Sequence, residues 1–148
     1  MSEYISVNEF ARRLVDVFPQ VMRGVMRRQT DALTKGQITA PQFLVLDLIY
    51  RLGPQKMGVL AETLSVSLPA ASGLVDRLHK LGLVERVYEE KDRRIIRIEL
   101  KPRGKSVVKT FRLQREKIIA EIFGQLSEND RNDYLRILIK IKDIINKK

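Results

Sequence analysis

The sequence predicts a mainly α-helical fold with one small β-hairpin wing set between helices, and three observations carry that prediction. Apolar residues recur at three-and-four spacing over most of the chain, the period of a helix with one buried face. Only two stretches, Val84–Tyr88 and Ile96–Leu100, alternate apolar with polar as half-buried strands do. Helix start and stop signals separate the rest into short, well-bounded segments. A length of 148 residues with 44% hydrophobic content suits one ordinary domain with a real core.

From Val7 to about Arg28, Phe10, Leu14, Phe18, Val21, Met22, Val25 and Met26 form one helical face, interrupted by Pro19, where either a kink or a division into two helices is expected. Thr39-Ala40-Pro41-Gln42 reads as a capping box that starts a helix reaching about Arg51, which Leu52-Gly53-Pro54 stops. Two short helices follow, about Val59–Leu64 and Leu68–Leu81. Ser67 is the N-cap of the second and Gly82 its left-handed terminator, with Leu83 folding back on Leu78. The two strands and the charged run Glu89–Arg94 between them then make a hairpin, whose carboxylates Glu89 and Glu90 read as solvated charge. After Pro102 and Gly104 comes a long amphipathic helix, and Ser127-Glu128-Asn129-Asp130 opens a last one.

Composition removes several function classes. Cysteine is absent, which excludes disulfides and thiolate metal sites, and the single histidine, His79, is expected to sit exposed late in a helix. No nucleophile motif or phosphate-cradling glycine loop is visible, so the chain reads as a non-enzyme that requires no cofactor. The start Met1-Ser2-Glu3-Tyr4 lacks the order of a signal peptide and no run is apolar enough to span a bilayer, so no membrane association and a cytoplasmic location are expected.

The charge points to a partner. Formal net charge is +10, and the segment Lys91–Lys117 alone carries eleven cations against three anions. Such clustering creates a local positive field that attracts a polyanion, with nucleic acid ahead of an anionic membrane surface. Two short helices joined by a tight turn form a helix-turn-helix whose second member fits the major groove. A charged hairpin directly after it makes the centre a winged helix-turn-helix. Its cations suit phosphates, and an arginine at its tip suits the narrow minor groove.

The residues Leu60-Ala61-Glu62, Leu74-Val75-Asp76-Arg77-Leu78, Leu81-Gly82-Leu83-Val84-Glu85-Arg86 and Lys91-Asp92-Arg93-Arg94, followed by Gly104, resemble the MarR family of bacterial and archaeal regulators, in order and in spacing. The resemblance implies a homodimer on double-stranded DNA at an inverted-repeat operator, most often as a repressor released by a small-molecule effector such as an aromatic anion. It divides the single domain into dimerisation helices, 1–35 and 103–148, and a winged helix-turn-helix lobe, 36–102. Apolar stripes on terminal helices that have no sheet to cover agree with a two-fold partner.

On the helix after Ser67, Ala71, Leu74, Val75 and Leu78 share the core face. Ser67, Ser72 and Arg77 remain for hydrogen bonds to phosphate or bases, and Leu68, Pro69 and Ala70 for thymine methyls or sugar. In the hairpin, Arg94 is the minor-groove finger, Asp92 the carboxylate that orients an arginine, and Lys91 with Arg93 are phosphate contacts. Many relatives carry hydroxyl and arginine side chains where this chain has Pro69, Ala70 and Gly73, so modest direct readout is expected. A second departure is Lys101, where threonine is common. The same residues keep open an alternative, a winged-helix protein-interaction subunit that has lost specific DNA binding. Tyr4, Phe10 and Phe43 suit core packing and locate no effector pocket.

Overall fold

The structure, a computed structural model, describes residues 4–33 and 38–147. Its elements are α1 (Val7–Leu33), α2 (Ala40–Leu52), β1 (Gln55–Lys56), α3 (Met57–Thr63), α4 (Leu68–Lys80), β2 (Val84–Tyr88), β3 (Ile96–Leu100), α5 (Pro102–Phe123) and α6 (Glu128–Asn146). They form two compact units, one of Met26–Gln114 and one of Met1–Val25 with Arg115–Lys148. The expected boundary between residues 35 and 36 and the opening Met1-Ser2-Glu3 lie outside the described residues.

The central unit is built around α2. Thr39 and Gln42 close the capping box: the Thr39 hydroxyl accepts from the Gln42 amide at 3.4 Å, and the Gln42 side chain accepts from Thr39 N–H at 3.0 Å. Two of the amides that the first helical turn leaves unpaired are thereby satisfied. The helix is buried on most of its circumference, with Phe43, Val45, Leu46, Leu48 and Ile49 all in the core. Phe43 stacks on Phe111 of α5 with ring centroids 4.7 Å apart. Each such side chain contributes roughly 1.5–3 kcal/mol by leaving water.

Around α2 the core is completed by Leu60 of α3, Val75 and Leu78 of α4, and the inward residues Val84, Ile98 and Leu100 of the sheet. The sheet has three antiparallel strands in the order β1-β3-β2, with Val84 opposite Leu100 and Tyr88 opposite Ile96. Strand β1 pairs Gln55 with Ile98 and Lys56 with Arg97. A two-residue strand cannot show alternation, so the sequence pattern holds no sign of it.

Gly104 sets the close approach of α5 to the sheet root. A Cβ there would lie 2.1 Å from the Leu83 carbonyl oxygen, an atom that also accepts from Lys101 N–H at 3.0 Å. Only a residue without a side chain lets the first turn of α5 lie on this backbone.

In the terminal unit, α5 and α6 meet at a corner fixed by polar chemistry. Ser127 caps α6 by accepting from Asp130 N–H at 3.1 Å, and Arg131 donates to the Leu126 carbonyl at 2.6 Å. Phe123 and Tyr134 pack rings at 5.2 Å. No described residue of α6 is buried, and Leu135, Leu138, Ile139, Ile141, Ile144 and Ile145 are all exposed. The same holds for Phe10, Leu14, Phe18 and Val21 of α1. Tyr4 is exposed as well, so of the three aromatics assigned to core packing Phe43 is the core residue.

Of the two outcomes expected at Pro19, a kink or a division into two helices, the division does not occur: α1 runs as one helix from Val7 to Leu33 with Pro19 inside it. A proline there removes one hydrogen bond and crowds one turn, a local cost that does not end the element.

Candidate nucleic-acid interface

Helix α4 owes its position to its two ends. At its start, Ser67 is the N-cap, its hydroxyl accepting from Ala70 N–H at 3.2 Å, with Pro69 in the first turn, where a missing donor costs nothing. At its end, Gly82 takes φ +72°, its N–H donates to the His79 carbonyl at 2.9 Å, and the Leu83 N–H donates to the Leu78 carbonyl at 3.0 Å. This paired bonding is the Schellman motif, with Leu83 and Leu78 both buried as its hydrophobic contact. Gly82→Ala should lower stability by about 1 kcal/mol, because an alanine must adopt the same left-handed backbone; an unchanged urea midpoint would contradict this.

Ala71, Val75 and Leu78 are fully buried and Leu74 is half-buried against the core. Leu68, Pro69, Ala70, Gly73, Asp76, Arg77 and Lys80 are exposed, as is His79, and Ser72 is half-buried. The outward face is thus apolar and small near its N-terminal end and charged toward the other. Lys80 shares the charged end, which the sequence reading passed over; at 100° per residue it falls opposite the buried stripe.

Asp76 faces away from the core and accepts a hydrogen bond from Arg86 of β2, an ion pair between the outward helix and the first strand of the hairpin. Sequence reasoning missed this pair, since ten residues and a turn separate its members and no local spacing rule joins them. Likewise Glu89, expected as solvated charge, is paired to Arg97 across the hairpin. Asp47, among the few buried charged residues, accepts from Arg51 at 3.0 Å and from Arg112 at 2.8 Å, and the Arg112 guanidinium lies 5.3 Å from the Tyr50 ring centroid. This cluster ties α2 to α5.

The hairpin tip carries the rest. Asp92 Oδ1 accepts from the Arg94 backbone N–H at 3.0 Å and from its Nε at 3.1 Å, and Oδ2 accepts from Nη2 at 3.2 Å. The fork of a guanidinium matches a carboxylate in this way, so Asp92 fixes the direction in which Arg94 leaves the turn. Arg94 beside it, by side-chain and then backbone hydrogen bonds, holds the Asp92 carboxyl below its usual range. The carboxylate is therefore charged at neutral pH, and its pair with Arg94 is lost as pH falls through the lowered folded value. The Arg94 side chain is nevertheless 90% exposed, and Lys91 and Arg93 are exposed beside it.

A short helix pair whose second helix turns an uncovered face outward, followed at once by an arginine-tipped hairpin, defines a winged helix-turn-helix protein. The MarR family model matches residues 38–96. The transcriptional activatory protein BadR of Rhodopseudomonas palustris is 31% identical over 141 residues, covering 91% of this chain and 79% of that protein. The HTH-type transcriptional repressor MdtR of Bacillus subtilis is 27% identical over 111 residues, 75% of this chain and 72% of that protein. The fold matches that of a MarR family protein from Bacillus stearothermophilus with a TM-score of 0.86 at 24% identity, over 97% of this chain and all of the other. The chain belongs to the MarR family of DNA-binding, non-enzymatic transcription regulators. Among the described residues, no single helix is long and apolar enough to cross a membrane.

Proposed function

We propose that this chain is a sequence-specific repressor that binds an inverted repeat in double-stranded DNA as a cytoplasmic homodimer. A small-molecule effector, with an aromatic anion as the first class to try, would release it. The observation that carries the reading is the tip of the hairpin, where an exposed Arg94 is held in one direction by Asp92. An exposed ion pair of this kind adds little to folding, which leaves presentation of the guanidinium as its use. In this reading α4 enters the major groove with Leu68, Pro69, Ala70, Ser72 and Arg77 toward it. Ser67, Lys91 and Arg93 bind phosphate, and Arg94 enters the minor groove.

Exposed apolar faces on α1 and α6 support residues 1–35 and 103–148 as the dimerisation region, because such stripes need a second surface to cover them. A two-fold pair of α4 helices requires half-sites about 34–36 Å apart. Gel-shift titration with duplexes selected from a random pool tests the whole. Affinity should fall by about 0.9 logarithmic units per tenfold salt for each phosphate contacted, and the selected sites should be inverted repeats. A flat salt response, or a footprint of one half-site, would count against the proposal.

The second reading, a protein-interaction subunit without specific DNA binding, is favoured by Pro69, Ala70 and Gly73 on the groove-facing side of α4. It requires that no duplex be retained by the selection.

A further inference from the structure

The outward face of α4 limits what it can read. In helix-turn-helix docking, the residues nearest the N-terminus of the second helix meet the base edges. Here they are Leu68, Pro69 and Ala70, all exposed and all without a side-chain donor or acceptor. The polar neighbours are otherwise placed. Ser67 precedes the helix as its N-cap, its oxygen accepting from Ala70 N–H and its O–H left to donate to a phosphate, Ser72 is half-buried, and Asp76 is paired to Arg86. Arg77 and Lys80 lie two to three turns along, suited to phosphates beyond the base edges.

Gly73 adds an independent observation. It lies mid-helix, one turn beyond Pro69 on the same outward side, where glycine costs roughly 1 kcal/mol relative to alanine. Nothing in the subunit explains it, since a Cβ built there meets no atom within 4 Å and its backbone is helical. A residue that the fold does not need small, on a face that the fold leaves bare, leaves room for an object pressed against that face.

In the major groove, the only apolar group that a base edge presents is the C5-methyl of thymine. We infer that α4 selects its operator by packing Leu68, Pro69 and Ala70 on thymine C5-methyl groups, with Gly73 letting the helix backbone come close enough to the groove floor for that contact. This rests on the DNA-binding reading above and names what that site recognises. Selection should yield half-sites with thymines at fixed positions under α4, tolerant of changes that preserve a methyl at the same place in the groove.

The test uses the full chain and a duplex selected from a random pool, with thymines replaced singly by deoxyuridine, which removes the methyl and keeps the base pair. Each replacement under α4 should weaken binding about fourfold, the value of one buried carbon group. The same replacement under the hairpin should change nothing. Placing 5-methylcytosine at a sensitive position should recover more of the affinity than cytosine does. The Leu68→Ser, Ala70→Ser double variant, which keeps Pro69 as its one apolar contact, should discriminate thymine from deoxyuridine less than the parent chain at the positions under α4, and Gly73→Leu should fold normally yet lose about tenfold or more in affinity through overpacking of the groove. Salt-sensitive binding that ignores deoxyuridine everywhere would overturn methyl reading and leave DNA binding intact. Equal loss under the helix and under the hairpin would overturn it as an effect of duplex mechanics. Failure to retain any duplex would overturn both readings at once.

Discussion

Replacing Arg94 by alanine should lower operator affinity by roughly 1–3 kcal/mol per subunit, the range for a well-placed arginine contact, while leaving the sedimentation behaviour of the protein unchanged. The separation follows from where the side chain sits. Arg94 is 90% exposed and, among the described residues, is bonded to Asp92 two residues away, so its loss should remove the proposed contact to DNA and little from the fold. Asp92→Ala should reproduce part of the effect through loss of direction, because a freely rotating arginine spends entropy on entering the groove. Lysine at position 94 should not rescue it fully, since a point charge cannot copy the planar fork that Asp92 orients. Equal affinities for Arg94→Ala and the parent chain would take the hairpin out of the mechanism.

Gly104→Ala should have the largest effect on stability, about 3 kcal/mol or more, read as a fall in thermal midpoint of well over 5 °C. The new Cβ would fall 2.1 Å from a backbone oxygen, which no rotamer change can relieve. Either α5 lifts off the sheet root or the turn at Leu83 moves, and each route disrupts the Lys101-to-Leu83 hydrogen bond and the packing of Val108 and Phe111 behind it. A midpoint within 1 °C of the parent chain would show that this approach is not rigid.

Much of this was legible in the sequence, for reasons that differ by element. The capping box at Thr39, the N-cap at Ser67 and the glycine stop at Gly82 are local rules, satisfied within a few residues, and the structure forms each of them at the expected residue. The buried face of α4 followed from period alone, because Ala71, Val75 and Leu78 recur at three-and-four spacing. What the sequence did not disclose is non-local. Strand β1 is two residues long and exists only through its pairing with β3. Arg86 finds Asp76 only after the turn between α4 and β2 has formed, and Arg112 meets Asp47 across 65 positions of chain. Gly104 could be quoted as part of a motif, yet the oxygen that makes it necessary belongs to a residue twenty-one positions earlier. Of the interface side chains, exposure and local partners are now placed, and their assignment to base, phosphate or groove rests on the binding experiments above.

The three residues between α4 and β2 leave no slack. Lys80 is followed by Leu81, Gly82 and Leu83 and then by the first sheet residue, with both backbone bonds of the stop made and Leu83 locked in the core. Helix α4 and the root of the hairpin are therefore cast as one piece, like two teeth of a key. Because the side chains at positions 68–70 and 73 hold none of the casting together, in the proposed reading their lettering can be rewritten by substitution without recutting the blade. New operators should be reachable by a handful of surface changes, at little expense in folding.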